Sequence, residues 1–241
     1  MGFVDIHTHI LPGVDDGAKT LEDAIALLEQ EKENGVSSVV LTPHFYPAVH
    51  NFDEHYLKCK EAFEQLKDAV KDKDLPDIHF GFEVQYFAGI SRSESLEKLC
   101  FENTNIILLE IPFLFPLTEN MLKEIVKLDM DIGLKVIIAH IERYGKERLF
   151  KKLLKIVTDG HAKAQISSDY ITDKAVKKVV YKLLKNNFVS FIASDCHNAK
   201  ERPVLLQKAF RDLRVDYHPQ VVNCLKNSAK IEDILKGNPN G

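Results

Sequence analysis

The sequence predicts an α/β protein of about seven strand-and-helix units that curl into a closed or nearly closed barrel. Short apolar segments of four or five residues alternate along the chain with longer amphipathic segments, which is the rhythm of β/α units around a parallel sheet. The 241 residues suit one such barrel, and no linker or internal repeat divides them. We therefore predict a single domain over 1–241. An open doubly wound sheet stays possible, because periodicity does not reveal closure.

The predicted strands are mostly apolar, as expected of parallel strands that helices cover on both faces. Their carboxyl ends should meet at one edge of the sheet, where α/β proteins bind ligands. In chain order the predicted strands are Phe3–Ile6, Ser38–Leu41, Ile78–Phe82, Ile106–Leu109, Val136–Ala139, Ala164–Ser167 and Val189–Ala193.

The first predicted helix has signals at both ends. Thr20 followed by Asp23 is the pattern of an N-terminal capping box, and Gly35 supplies the C-terminal cap. Between them, apolar residues such as Ala24 and Leu28 recur at helical spacing. Further helices are predicted over Phe52–Lys73, Glu119–Asp131, Lys146–Asp159, Asp173–Asn186 and Pro203–Leu213, with two short helices within Pro219–Lys236.

Composition excludes several classes of protein. The 32 Lys and Arg against 36 Asp and Glu give a net charge of −4, so a broad basic surface for nucleic acid is not expected. No run approaches eighteen apolar residues and no apolar leader opens the chain, so we predict a cytoplasmic protein that does not insert into membranes. The cysteines form no Cys-x-x-Cys pair, which argues against a zinc ribbon or a disulfide framework. They are Cys59, Cys100, Cys196 and Cys224.

Imidazole and carboxylate side chains follow six of the seven predicted strands. A single such residue is more often solvated or capping a helix. Many of them buried at one barrel mouth would need cations, because buried charges without partners cost several kcal/mol each. Asp16 is a further candidate, although Asp before Gly is also an ordinary turn signal. The candidate metal ligands are His7, His9, Asp16, His44, Glu83, Glu110, His140, Asp195 and His197.

Nine candidate ligands are too many for one ion that must keep a coordination position open. We therefore predict two or three divalent ions. Imidazole and carboxylate without thiolate suit Mn, Fe or Zn rather than a soft metal. With three ions the site would be net positive, and Arg143 and Arg202 nearby would make it a receiver for a phosphate dianion.

The motifs resemble the PHP (polymerase and histidinol phosphatase) superfamily of metal-dependent phosphoesterases. Its first motif matches residues 5–9 (DIHTH) and its last matches residues 194–197 (SDCH). Within the superfamily, the chain looks most like the bacterial capsule-associated protein-tyrosine phosphatases of the CpsB/YwqE type, over roughly residues 3–210. The matching segments are Asp5–Gly17, Leu41–Pro47, Gly81–Val84, Leu108–Phe113 and Ala139–Tyr144.

This resemblance implies a distorted seven-stranded barrel with three metals, usually manganese, in which a metal-bridging hydroxide hydrolyses phosphotyrosine. Arg143 and Arg202 match the family's phosphate-binding arginines. As a separate hypothesis from the chemistry, Asp195 or a metal-bound water donates a proton to the leaving group, and the sequence does not choose between them. The implied partner is the tyrosine-rich tail of a bacterial tyrosine kinase that governs capsule or exopolysaccharide synthesis. The implied ligand sets are His7, His9, Glu83 and Asp195 for the first metal, Glu83, Glu110 and His140 for the second, and Asp16, His44 and His197 for the third.

Two positions depart from the family pattern. The family often has proline in the place of Ile141, and another residue in the place of Cys196. Neither is a ligand position, so the departures leave the implied metal sites intact.

Three alternatives stay open from the sequence. Cys196 and Arg202 have the Cys-x₅-Arg spacing of thiol-based tyrosine phosphatases, but the loop between them has no glycine and an acid precedes the cysteine. The same metal site could instead serve histidinol phosphate or another small phosphomonoester. A binding module that holds phosphotyrosine without turnover is the third alternative, and retention of every candidate ligand argues against it.

Overall fold

The structure is a computed structural model that describes residues 3–94, 96–113, 115–172 and 177–236. These ranges contain nine strands and eight α-helices. The strands are β1 (Phe3–Thr8), β2 (Val36–Leu41), β3 (His44–Phe45), β4 (Asp77–Phe80), β5 (Glu83–Gln85), β6 (Ile106–Glu110), β7 (Lys135–Ile138), β8 (Lys163–Ser167) and β9 (Phe191–Ala193). The helices are α1 (Leu21–Glu33), α2 (Phe52–Val70), α3 (Leu96–Leu99), α4 (Glu119–Met130), α5 (Phe150–Thr158), α6 (Ser168–Thr172), α7 (Lys177–Lys185) and α8 (Leu206–Leu235).

All strand pairs are parallel, in a three-stranded sheet of order β1-β2-β4 and a six-stranded sheet of order β3-β5-β6-β7-β8-β9. Backbone bonds continue the ladder through the gap where the chain passes from the first sheet to the second. Gly81 N–H, directly after β4, donates to Leu41 C=O of β2 at 3.0 Å, and Glu83 N–H of β5 donates to Pro43 C=O, directly before β3, at 3.1 Å. At the far side, His9 N–H donates to Cys196 C=O at 2.9 Å. The sheet therefore curls until its last strand lies beside its first.

Each of the seven predicted strands coincides with a strand, but the structure also contains β3 and β5, which the sequence did not predict. Pro43 separates β3 from β2 because proline has no N–H to donate to a ladder. Gly81 and Phe82 separate β5 from β4. β3 and β5 have only two and three residues and begin with a polar side chain, so they form no apolar run that the sequence could reveal. The described residues therefore contain nine strands in two sheets and not the seven that were predicted.

The capping box at the first helix is confirmed. Thr20 Oγ1 accepts the Asp23 N–H at 3.2 Å, and Asp23 Oδ2 accepts the Thr20 N–H at 3.1 Å. Two helix predictions need correction. The helix expected from Lys146 begins at Phe150. The predicted break before Pro219 is present, because α8 consists of two helical segments that meet at a kink at the non-helical Tyr217, but the two short helices predicted within Pro219–Lys236 are one.

The remaining helix predictions differ less from the structure. The predicted helix Asp173–Asn186 corresponds to α7, while residues 173–176 lie outside the described residues. The short helices α3 and α6 were not predicted. Their four and five residues are too few for a helical period to show.

The buried apolar residues in the described ranges form two clusters, and the smaller one fills the inside of the curled sheet. Val4, Ile106 and Phe191, which lie near the beginnings of their strands, pack there with Ile231 of α8. Ser228 Oγ bonds both N–H and C=O of Val4 at 2.8 Å, which fixes α8 to the start of β1. The carboxyl edge of the sheet is thereby left for the functional site. Among the described residues, no helix is both long and apolar enough to cross a lipid bilayer.

Candidate metal centre

The predicted ligands lie at the carboxyl edge of the curled sheet. His44 and Glu83 begin the two unpredicted strands and pair with each other across β3 and β5. His140 and Asp195 each lie two residues after the end of a strand, β7 and β9 respectively, with φ of 31° and 53°. Left-handed backbone is rare outside glycine and concentrates at functional sites, where it re-aims a side chain.

Glu83 is the centre of the cluster. Its Oε2 lies 3.3 Å from His7 Nε2, 3.4 Å from His9 Nε2 and 2.8 Å from His44 Nδ1. Its Oε1 lies 2.8 Å from His140 Nε2. The carboxylate is 1 % exposed, so four imidazoles converge on one buried acid.

Asp195 and Asp16 are two further acids of the cluster, and Asp16 connects the fifth imidazole, His197, to it. Asp195 Oδ1 lies 3.6 Å from His7 Nε2 and 3.5 Å from His9 Nε2. Asp16 Oδ1 lies 3.4 Å from the Nε2 atoms of both His44 and His197. Asp16, which the sequence could not separate from a turn residue, therefore lies within the cluster.

Three groups of side chains each bring their ligand atoms within 4.8 Å of one another. His9 and His44 belong to two groups each, so the groupings differ in detail from the sets that the resemblance implies. His140 lies outside these groups, but its Nε2 is 3.5 Å from Glu110 Oε1. The groups are His9, Asp16, His44 and His197; His7, His9 and Asp195; and His44, Glu83 and Glu110.

The tautomers of His7 and His9 fit a metal centre. His7 Nδ1 lies 3.2 Å from Gln165 Oε1, an oxygen that also accepts the His140 N–H at 2.7 Å. His9 Nδ1 lies 2.8 Å from the acceptor Asp15 Oδ2. If each Nδ1 donates its proton, both neutral rings present an Nε2 lone pair, and these two atoms face each other at 3.3 Å. Such an arrangement is that of metal-bound histidines held by outer hydrogen bonds.

Some buried atoms of the cluster lie close to other polar atoms but form no aligned hydrogen bond in the described structure. They are Glu83 Oε2 and His44 Nδ1, which are 2.8 Å apart, and His197 Nε2. Burial and the neighbouring Glu83 charge raise the pKa of Glu110 to about 7. Divalent cations would satisfy these lone pairs and neutralise the acids, so the donor set fits them.

Two arginines reach the cluster from the mouth of a cavity of about 660 Å³. The terminal nitrogens of Arg143 and Arg202 each lie 3.1 Å from Asp195 Oδ2. Arg143 also lies 3.7 Å from Glu110 and over the ring of Tyr170, 5.8 Å from its centroid. The cavity thus combines a ligand cluster with two guanidinium groups, which bind phosphate in a planar fork.

The Cys-x₅-Arg stretch is not built for thiol chemistry. Cys196 is fully buried, is not among the residues that line the cavity, and its Sγ lies 3.6 Å from Glu31 Oε1. Burial and Glu31 raise the pKa of the thiol well above its usual value, which disfavours the thiolate that such enzymes need. The N–H groups of His197 and Asn198 donate to the Arg202 C=O, at 3.0 and 3.3 Å, so they are not free to bind a phosphate.

Sequence reasoning missed the residues that support the ligands. The sixth predicted strand supplied no candidate ligand, but Gln165 inside that strand holds the His7 ring. A buried polar residue in an apolar strand was the available signal. Asp15 received no role from the sequence, yet it bonds the His9 ring and the His44 N–H, at 2.8 and 3.1 Å.

A curled parallel sheet with an imidazole and carboxylate cluster at its carboxyl edge defines a metal-dependent hydrolase. The profile of the family described as "Capsular polysaccharide synthesis, CpsB/CapC" matches residues 3–232. The chain belongs to this family, and the resemblance to CpsB/YwqE-type proteins is confirmed.

Relatives of known name agree with this placement. The chain is 29% identical over 237 residues to the tyrosine-protein phosphatase YwqE of Bacillus subtilis (strain 168), covering 95% of this chain and 90% of the relative. It is 29% identical over 217 residues to the tyrosine-protein phosphatase CpsB of Streptococcus pneumoniae, covering 86% and 88%.

Solved structures of two other phosphatases are also similar to this chain. The chain matches a structure from work on YwqE of Bacillus subtilis and CpsB of Streptococcus pneumoniae, described as metal-dependent tyrosine phosphatases, with a TM-score of 0.81 and 26% identity over 98% of this chain and 94% of the other. Histidinol phosphate phosphatase of Lactococcus lactis matches with a TM-score of 0.54 and 14% identity over 90% and 93%. The second likeness shows a shared fold alone.

Proposed function

We propose that this protein is a metal-dependent protein-tyrosine phosphatase. The observation that carries the proposal is the convergence of four imidazoles on the buried Glu83, with Arg143 and Arg202 both reaching Asp195 at the edge of the same cluster. Membership of a family whose named relatives are tyrosine-protein phosphatases supports the choice of substrate.

We further propose three divalent ions, most suitably Mn²⁺, with Fe²⁺ or Zn²⁺ as substitutes. Glu83 would bridge the first two ions. The donor set of imidazoles and carboxylates, and the buried lone pairs without an aligned hydrogen bond, support this assignment. The ligands would be His7, His9, Glu83 and Asp195 for the first ion, Glu83, Glu110 and His140 for the second, and Asp16, His44 and His197 for the third.

The site would sit in one domain, a distorted barrel of seven β/α units. In this interpretation β2 with β3, and β4 with β5, are two interrupted strands. The bridge between Thr8 and Cys196 supports closure between β1 and β9.

Bound divalent ions would supply hydroxide near neutral pH and Lewis-acid stabilisation of the phosphoryl oxygens. The chain's own part is binding and orientation. Arg143 and Arg202 would hold the equatorial oxygens of the phosphate, where charge changes in the transition state. Asp195 would orient both guanidinium groups. Because two arginines stabilise its ionised form, Asp195 would not carry a proton to donate, and water is the better proton donor to the leaving phenolate.

The substrate we propose is the phosphorylated tyrosine tail of a bacterial tyrosine kinase that regulates capsule or exopolysaccharide synthesis. The capsular function in the family's description supports this choice. We place the reaction in the cytoplasm, and the four free, buried cysteines agree with a reducing compartment.

The proposal is tested by offering a phosphotyrosine peptide and histidinol phosphate to the same preparation, first with Mn²⁺ and then with excess chelator. Preference for the peptide, lost on chelation, is the expected result. Preference for histidinol phosphate would contradict it and make the protein a small-molecule phosphatase. Tight binding of the peptide without phosphate release would make it a binding module.

A further inference from the structure

Phe113 exposes an aromatic ring at the mouth of the cavity that holds the ligand cluster. It lies three residues after Glu110, lines the cavity, and is 61 % exposed. An exposed large apolar side chain beside a binding cavity offers surface that a ligand can cover.

Tyr46 presents a second aromatic ring in the same cavity. It lies two residues after His44 and stacks on the His44 ring, with centroids 4.6 Å apart and planes inclined by 23°. The strands that precede Tyr46 and Phe113, β3 and β6, both pair with β5, which begins at Glu83. The two aromatic residues therefore follow the two strands that flank β5, the strand that carries the cluster's central acid.

The cavity is also larger than a phosphate needs. Its volume of about 660 Å³ is in the range of sites for drug-sized ligands. With the phosphate held by Arg143 and Arg202, the rest of a substrate must occupy the space between the arginines and the cavity mouth. Phe113 and Tyr46 line the same cavity as the two arginines.

We propose that Phe113 and Tyr46 form an aryl subsite, which binds the ring of an aryl phosphomonoester and selects it over an alkyl phosphate. The subsite rests on the proposed phosphatase function and adds its specificity-determining residues. Packing between aromatic rings stabilises a bound phenyl group beyond the area that it buries, and an alkyl group gains little from it. Phe113 is not one of the candidate metal ligands and has no group that can take part in proton or phosphoryl transfer, so its contribution should affect binding and not the reacting groups.

The test compares Phe113→Ala with wild type, both loaded with Mn²⁺, on a phosphotyrosine peptide and on acetyl phosphate. Acetyl phosphate is a reactive acyl phosphate, a mixed anhydride without a ring, so its hydrolysis reports on the metal centre and the phosphate-binding groups. Phe113→Ala should raise KM for the peptide about tenfold and leave its kcat within about twofold. KM for acetyl phosphate should not change, and Phe113→Tyr should restore peptide binding.

Phe115→Ala is the matched control. Phe115 is 65 % exposed two residues further along, and it is not among the residues that line the cavity, so its removal should change neither KM. The subsite is contradicted if Phe113→Ala leaves the peptide KM unchanged, or raises both KM values equally. If wild type hydrolyses acetyl phosphate but no phosphotyrosine peptide, the proposed function itself fails and the subsite with it.

Discussion

The carboxylate of Asp5, in the first strand, accepts the backbone N–H of Ser194, which follows the last strand, at 3.2 and 2.9 Å from its two oxygens. Asp5 Oδ1 also accepts the N–H of His7 at 3.1 Å. One buried side chain thus joins β1 to the segment after β9 and fixes the backbone on which His7 and Asp195 are carried. Asp5 belongs to the most recognisable motif of the sequence, yet its role is to bond the backbone.

Replacing Asp5 by Ala should destabilise the protein, because two buried N–H groups lose their acceptor. Each unsatisfied group costs about 1–3 kcal/mol. The free energy of unfolding, measured by urea titration in chelator, reports the loss. Asp77→Ala, at an exposed acid on β4, is the control and should change stability by no more than about 0.5 kcal/mol. If the two substitutions lowered the free energy of unfolding equally, the structural role of Asp5 would be contradicted.

Gln165 should control metal affinity without touching a metal. Gln165→Leu removes the acceptor of His7 Nδ1, which frees the ring to adopt the wrong tautomer. Loss of an outer hydrogen bond of this kind typically weakens metal binding about 10–100-fold. Competition with a fluorescent chelator measures the Mn²⁺ affinity. Gln165→Glu keeps an acceptor and should bind Mn²⁺ more tightly than the Leu variant; equal affinities for wild type and Gln165→Leu would contradict this role.

Arg143→Lys should impair catalysis although it keeps the charge. Lysine lacks the planar fork that can hold Asp195 and a phosphate oxygen together. The substitution also removes the flat guanidinium face that lies over the Tyr170 ring. Removal of one donor to transition-state charge typically lowers kcat about 10²–10³-fold. Steady-state kinetics on a phosphotyrosine peptide measure the fall. Arg148→Lys, an exposed arginine outside the cavity lining, should retain wild-type kcat, and a similar kcat for Arg143→Lys would exclude a role in the reaction.

Cys196 should be chemically silent in the folded protein. Its Sγ is fully buried, and burial with Glu31 nearby raises the pKa of the thiol. Iodoacetamide at pH 8 should therefore leave Cys196 unmodified until the protein is unfolded, as peptide mass spectrometry would show. Rapid alkylation in the native state would revive the thiol mechanism.

The sequence predicted those elements of the fold that have a local pattern of apolar or capping residues. Strands of four to six residues and the Thr20 capping box have local signals, and all of these were found. The strands β3 and β5 have none, because their two and three residues begin with a polar side chain and form no apolar run, whereas the three residues of β9 are all apolar. They nevertheless position His44 and Glu83, so the sequence predicted the ligands but not the elements that hold them.

The support around the ligands depends on long-range contacts that no local pattern records. Gln165 bonds His7 across 158 positions of sequence, and Asp5 bonds Ser194 across 189. Asp15 shows the same limit at short range. Asp before Asp-Gly predicts a turn equally well, and only the folded loop brings the Asp15 carboxylate to His9.

The central claim, that the cluster around Glu83 is a metal centre that hydrolyses phosphotyrosine, is tested most directly by metal titration. Phosphate release from a phosphotyrosine peptide would be measured as Mn²⁺ is returned to chelator-stripped wild type and Cys196→Ser, with bound metal counted by mass spectrometry. We predict no activity without metal, equal recovery in both proteins, and saturation at three ions per chain. Activity that persists in the stripped protein and disappears in Cys196→Ser would contradict the claim.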